Sequence, residues 1–208
     1  MERCSVRLKT DEKRQLIVDT AYRLFRANGF EKTSMSEITA QVGGSKATIY
    51  NYFSSKEELF VECMFGIAEN YLGGIFSHLQ DPAGDIRTAL QGFGENVTRL
   101  ICSPEIVAAQ RLMIAEAGRA GIGKLFYEKL NSLQEQTAAF IGGAMSAGKL
   151  RRGDPRLAAI QLKALMEAEI HDSYLLCVRT TPPDETEIKT ITEFAVNTFL
   201  RAYAPNAG

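Results

Sequence analysis

Cysteine and histidine are scarce in this chain. Cys4, Cys63, Cys102 and Cys177 are scattered with no CxxC pair, and His78 and His171 are the two histidines among 208 residues. That spacing excludes a disulfide framework and a structural zinc centre, and it leaves the thiols as buried or half-buried packing groups. Long apolar runs are missing too: none approaches the roughly 18 residues of a membrane span, and the opening MERCSVRLKTDEKR has no hydrophobic stretch of a signal peptide. A cytoplasmic protein with no membrane partner is expected. Strict period-two alternation is absent, which argues against strands. So are SxxK, GxSxG, HExxH and P-loop patterns, and the GRAGIG stretch at 118–123 does not follow a strand. Glu167 and His171 share a helical face but make no constellation beyond a solvated or interface pair. No catalytic residue, no metal and no cofactor is expected, and the chain does not read as an enzyme.

What is present is an ordinary reserve of core-forming residues, 45% hydrophobic, with 24% charged. The net charge of −1 hides an asymmetry. Residues 1–56 carry ten Lys/Arg against six Asp/Glu, or +4, while the other 152 residues carry 14 basic and 19 acidic groups, or −5. A basic end on an acidic body points to a polyanion met by the amino-terminal part alone.

The pattern is helical throughout, an all-α fold of about nine helices with apolar positions three and four apart. A first helix is expected from Thr10, with Ile17, Ala21, Leu24 and Phe25 as its stripe and Gly29-Phe30 as its stop. Ser34-Met35-Ser36-Glu37 has capping-box spacing and opens a second helix of about eight residues that Gly43 ends. Ser45 caps a short third helix over 46–53. Ser55-Lys56-Glu57-Glu58 is a further capping box, opening a fourth helix toward Leu79. After the turn DPAGD, helices are expected over 84–102, 104–119, 122–148, 155–178 and 184–203, with Pro104 and Pro155 suited to first turns. The division expected is 1–56, a helix-turn-helix domain with a basic arm, and 57–208, a larger helical body.

The third helix is short enough to be marginal alone. At 100° per residue Thr48, Ile49, Tyr52 and Phe53 share one half of its circumference, and Lys46, Ala47, Tyr50 and Asn51 share the other. Short helix, glycine turn and short helix with a polar outer face is the helix-turn-helix plan, whose second helix enters the major groove by its amino-terminal residues. Lys46 suits guanine O6 or N7, Asn51 a base edge, and Ala47 a thymine methyl. Tyr50 suits a phosphate, and Thr33 and Lys56 sit at helix starts where phosphate is gripped.

Residues 10–60 resemble the amino-terminal domain of TetR/AcrR-type transcriptional regulators. The carrying stretches are Ile17 to Phe25, Gly29-Phe30, Thr33 to Ile38, Ser45 to Phe53, and Lys56-Glu57-Glu58-Leu59. The carboxy-terminal stretches GKLRRGDPRLAA and FAVNTFLRAY resemble the AefR-like subgroup. The resemblance implies a homodimer on a palindromic double-stranded DNA operator, usually repressing, released by a small molecule held in the carboxy-terminal domain. It implies phosphate contacts from Thr33, Ser34, Tyr50 and Lys56 and groove contacts from Lys46, Ala47 and Asn51, with Ser45 at the helix start. Two positions depart from the family pattern. Gly44 stands where a small hydrophobic is usual, which implies a looser turn, and Ser36 stands where an arginine or lysine is common.

The last two long helices are unusually apolar: Leu157, Ile160, Leu162, Leu165, Met166 and Ile170 spread around much of one, and Ile188, Ile191, Ala195 and Phe199 form one stripe on the other, with Val196 and Leu200 beside it. A broad core and a partner surface are both compatible with that pattern; the resemblance implies a dimer interface with Leu162, Met166, Ile170, Ile191, Ala195 and Phe199 in it. Phe93, Met113, Phe126, Phe140, Met166 and Tyr174 are candidates to line an apolar effector pocket, with Asn96, Arg111, Glu116, Glu169 and His171 to orient a polar group. A hydrophobic or amphipathic effector follows. The rival reading is a helical adaptor that binds protein and never DNA.

Overall fold

The computed structural model describes residues 2–205, with side chains from Thr10 onward apart from Asn70. It is all-helical, with no strand among the described residues. The elements are α1 (Glu2–Lys32), α2 (Met35–Val42), α3 (Lys46–Tyr50), α4 (Lys56–Phe76), α5 (Ile86–Ile101), α6 (Pro104–Glu116), α7 (Ile122–Ser146), α8 (Pro155–Glu167), α9 (His171–Leu175) and α10 (Glu185–Ala202).

Helix α3 ends at Tyr50, short of the expected 46–53, and two other boundaries differ more. Helix α1 does not begin at Thr10 but runs back to Glu2, because no proline or glycine stops it. The side chains of the expected basic arm, Arg3, Arg7 and Lys9, and that of Cys4, lie outside the described residues. The helix expected over 155–178 is two, α8 and α9. Neither glycine nor proline marks this break; Ile170 turns back with its N–H on Glu167 O at 3.2 Å. Ile170 and Tyr174 then both enter a small cluster with Ile101, Cys102 and Ile191. Packing overrides helix propensity there.

The chain packs as two compact units, which do not follow a cut at residue 56. The first ends at Ile67 and takes in Ala109–Tyr127; the second holds Ala68–Ala108 and the chain from Glu128 on.

In the first unit, Gly29 takes φ 78°, ψ 171° and breaks α1, a conformation glycine adopts without the cost of a Cβ. The break returns Phe30 to the core, where it meets Phe25 at 5.9 Å and Phe60 at 5.1 Å, while Phe25 and Phe60 meet edge-on at 5.1 Å. Ile17, Ala21, Ile38, Ile49 and Leu59 complete a buried set drawn from α1 to α4. Cys63 donates its thiol to Val18 O at 3.3 Å, and burial pushes its pKa far up. It is a packing group, inert as a nucleophile. Ala109–Tyr127 joins this unit through Phe126, edge-on to Phe65 at 5.2 Å, and through an Arg119–Glu31 ion pair.

In the second unit α5, α8 and α10 share one core, which includes Leu90, Phe93, Leu162, Met166, Val196 and Phe199. Helices α5 and α10 run antiparallel: Arg87 donates to Asn197 at one end, and Arg99 holds Glu185 in a two-pronged pair (3.1 and 2.7 Å) at the other. Asp85, Asp154 and Asp184 cap α5, α8 and α10 by accepting main-chain N–H bonds, and Pro104 and Pro155 begin α6 and α8.

Candidate nucleic-acid interface

The site is built on α2, the turn after it and α3. Ser34 accepts the Glu37 N–H at 3.1 Å and caps α2; Ser45 accepts the Thr48 N–H at 3.2 Å and caps α3. These are the caps the sequence spacing predicts, with one modification at α4. Ser55 accepts the Glu58 N–H at 3.0 Å, but the Glu58 carboxylate reaches back to Ser54, N–H and hydroxyl, at 2.7 and 2.5 Å.

Between α2 and α3, Gly43 has φ 75° and Gly44 has φ 109°. Both values lie where L side chains are strained. Gly44 is therefore more than a missing packing group: the turn takes a path that a β-branched residue resists. What holds the turn comes from elsewhere. Lys13 on α1 donates its ammonium to Val42 O at 3.1 Å and Gly43 O at 3.2 Å, answering carbonyls at the end of α2 with a cation. Arg14 beside it pairs with Glu62 at 2.5 Å and lies 5.2 Å from the centre of the Phe53 ring. Sequence reasoning missed both roles, since the residues lie 29 and 48 positions from their partners and a single sequence carries no sign of such pairings.

On the fixed α3, Ile49 is buried at 1% exposure and Phe53 just beyond it likewise, while Lys46, Ala47, Tyr50 and Asn51 are exposed. The inward and outward halves fall as the 100° wheel places them. Asn51 ends the helix, its N–H on Ala47 O, with its side chain outward. Lys46 has no acidic partner among the described residues. Ser34 and Ser45 are exposed at their helix starts. Lys56 opens α4 half-buried, its ammonium 3.5 Å from Glu31 O and 4.2 Å from the Phe30 ring centre.

Thr33 is a correction. Its side chain is fully buried and its hydroxyl donates inward, to Gly29 O at 2.8 Å and Leu24 O at 3.2 Å. It ties the kink of α1 to the start of α2, and no hydroxyl remains to meet a phosphate.

The dimer-interface expectation is corrected as well. Leu162, Met166, Ile170, Ile191, Ala195 and Phe199 are all buried within their own chain, none above 6% exposed. Apolar periodicity alone does not distinguish a core face from a partner face, and these six residues serve the core. The outward apolar groups are Leu157 and Ile160 on α8 and Phe194 on α10. Of the effector-pocket candidates, Phe93, Phe140 and Met166 join the main core of the second unit and Tyr174 the smaller cluster beside α9. Met113 and Phe126 belong to the first unit. Asn96 donates to Gly74 O and accepts from Arg99, and Glu116 pairs with Arg119.

Known proteins agree with this geometry. Residues 17–63 match the model of bacterial regulatory proteins of the tetR family, and residues 88–205 match that of the AefR-like transcriptional repressor C-terminal domain. The flavonoid-responsive regulator FrrA is 29% identical and superposes with a TM-score of 0.77, covering 95% of this chain and all of that one. A TetR-family regulator from Mesorhizobium loti is 26% identical with the same TM-score, covering 93% of this chain and 98% of its own. The HTH-type transcriptional regulator YxaF of Bacillus subtilis is 29% identical over 55% of this chain, a match spanning 64% of that protein. With its capped, outward-facing α3 and both of its parts matched, the chain belongs to the TetR family of helix-turn-helix transcriptional regulators, a non-enzymatic family that binds DNA, and carries an AefR-like carboxy-terminal domain.

Proposed function

We propose that this protein is a homodimeric repressor that binds a palindromic operator through α3 and releases it when a small, largely apolar effector enters its helical body. One observation carries the reading: Lys46, Ala47, Tyr50 and Asn51 face outward on a helix whose first turn is capped by Ser45 and whose preceding turn is held by Lys13. Lys46 reads guanine, Asn51 a base edge and Ala47 a thymine methyl, while Ser34, Ser45, Tyr50 and Lys56 grip phosphates. The repressor sense is supported by the AefR-like match.

Two copies meet through the outward apolar groups of α8 and α10, Leu157, Ile160 and Phe194, in a four-helix arrangement about a two-fold axis. Release follows if the effector favours a body conformation whose paired α3 helices no longer match half-sites one duplex turn apart, about 34–36 Å. The full-length likeness to a flavonoid-responsive regulator supports neutral aromatic molecules as the effector class.

Selection of bound duplexes from a random pool by the purified protein is the test. A palindromic consensus is expected, with affinity falling in salt by a log–log slope of about −0.9 per phosphate contact. Retention of no duplex at low ionic strength would overturn the reading and favour the protein-binding adaptor instead.

A further inference from the structure

Threonines inside helices usually settle their hydroxyls on the carbonyl one turn back. Thr39 does so on Met35 O at 2.6 Å, and Thr190 on Thr186 O at 2.9 Å. Thr98 on α5 and Thr192 on α10 do not. Both are fully buried, and neither hydroxyl has a hydrogen-bond partner among the described residues. Burying an unpaired hydroxyl is costly, so each such group asks for an explanation.

The two lie on one seam. Thr192 packs its methyl into the notch left by Gly94, where an added Cβ would stand 2.5 Å from Thr192 Cγ2 and 2.8 Å from Met166 Cε. Thr98 is one turn beyond Gly94 on the same face of α5, roughly 6 Å along the axis. Met166 lies at the notch, and the two cores to which α5 and α10 contribute include Phe93 in one and Ile101 and Ile191 in the other. Arg99 is paired with Glu185 and Arg179 with Glu187, while Arg87 donates to the amide of Asn197.

We propose that Thr98 and Thr192 are the polar anchors of the effector site, at the junction of α5, α8 and α10, and that the ligand is a neutral, mainly apolar molecule carrying hydroxyl or carbonyl oxygens. This rests on the effector-released reading above and specifies its ligand. Met166, an unbranched thioether fully buried against the notch, is the group that moves aside, since methionine repacks with little strain. A pair of buried hydroxyls offers hydrogen bonds and no countercharge, so the seat suits a neutral ligand better than a phosphate-bearing one.

The test uses the full chain and its selected operator, with flavone, 7-hydroxyflavone and apigenin as neutral probes and stearoyl-CoA as the charged one. Without ligand, Thr98→Val and Thr192→Val are expected to melt at or above the wild-type temperature, because valine keeps the shape and removes the unpaired group. A neutral probe is expected to raise the wild-type melting temperature and release the operator, and to bind the double variant at least tenfold more weakly while the ligand-free operator affinity stays unchanged. A fall of several degrees in either single variant shows the hydroxyls to be partnered and overturns the site. Equal probe affinity in wild type and double variant overturns it too. Release by stearoyl-CoA alone sinks this seat and leaves the effector reading standing, whereas a protein released by none of the four probes takes down the ligand class assigned here.

Discussion

The two compact units treat their most deeply buried threonines in opposite ways. In the first, Thr33 is fully buried and both of its bonds, to Leu24 O and Gly29 O, are made. Ser34, Ser45 and Lys13 likewise each answer a main-chain group at a helix end. In the second, Thr98 and Thr192 are as deeply buried and their hydroxyls meet no partner among the described residues. A DNA reader must present its groups in one geometry, and satisfied local bonds fix that geometry before the duplex arrives. On the proposed effector reading, unpaired groups in the core of the second unit leave a conformation that a ligand can improve upon.

The largest expected effect strikes the rigid side of that contrast. Phe60→Ala removes the ring against which Phe25 and Phe30 both pack and should destabilise the protein by about 3–5 kcal/mol, read by urea unfolding. Thr33→Val and Thr98→Val make the sharpest pair, the same change at the same burial. The first leaves Gly29 and Leu24 carbonyls without their donor and should cost about 1–3 kcal/mol; the second should be neutral or stabilising. If both cost the same in urea, the contrast fails. Lys46→Ala should weaken operator binding by about 1–3 kcal/mol and relax selection at one base position, with unchanged helicity by circular dichroism. Ser45→Ala should cost about 1 kcal/mol of stability through loss of the α3 cap.

The smallest effect is in pH. Arg99 and Arg179 hold the Glu185 and Glu187 carboxyls below the ordinary carboxylate range through their hydrogen bonds. A carboxylate more acidic in the folded than in the unfolded chain stabilises above its unfolded pKa and loses that contribution as pH falls through the folded one. Melting temperature should therefore drop on acidification below the ordinary glutamate range, less steeply in a Glu185→Gln, Glu187→Gln variant. These side chains are exposed or half-exposed, so the difference should be slight and should shrink in salt.

Much of the reader was legible in the sequence, because its signals are local. Ser34 and Ser45 stand three residues before the N–H groups they accept, Gly29 and Gly43 sit at helix ends, and one turn of the wheel separates Ile49 from Lys46. What stayed hidden depends on distant residues. The spacing of Lys13 says nothing of Val42, 29 positions on, and Thr33 looks like any polar residue before a helix until the kink at Gly29 folds back over it. The second unit was less legible for a related reason. Apolar spacing does not say which way a helix turns against a core or a partner; Leu162 and Phe199 turned inward, Ile160 and Phe194 outward. The break before His171 carries no local mark at all.

The Arg119–Glu31 pair and the Phe65–Phe126 contact bear on how the molecule can be dissected. A fragment cut after Ile67, where a biochemist would trim to obtain the DNA-binding portion, would strip the ring from beside Phe65 and the guanidinium from Glu31. Such a piece would present bare aromatic surface to water, and its behaviour on a gel-shift assay would report the injury as much as the recognition.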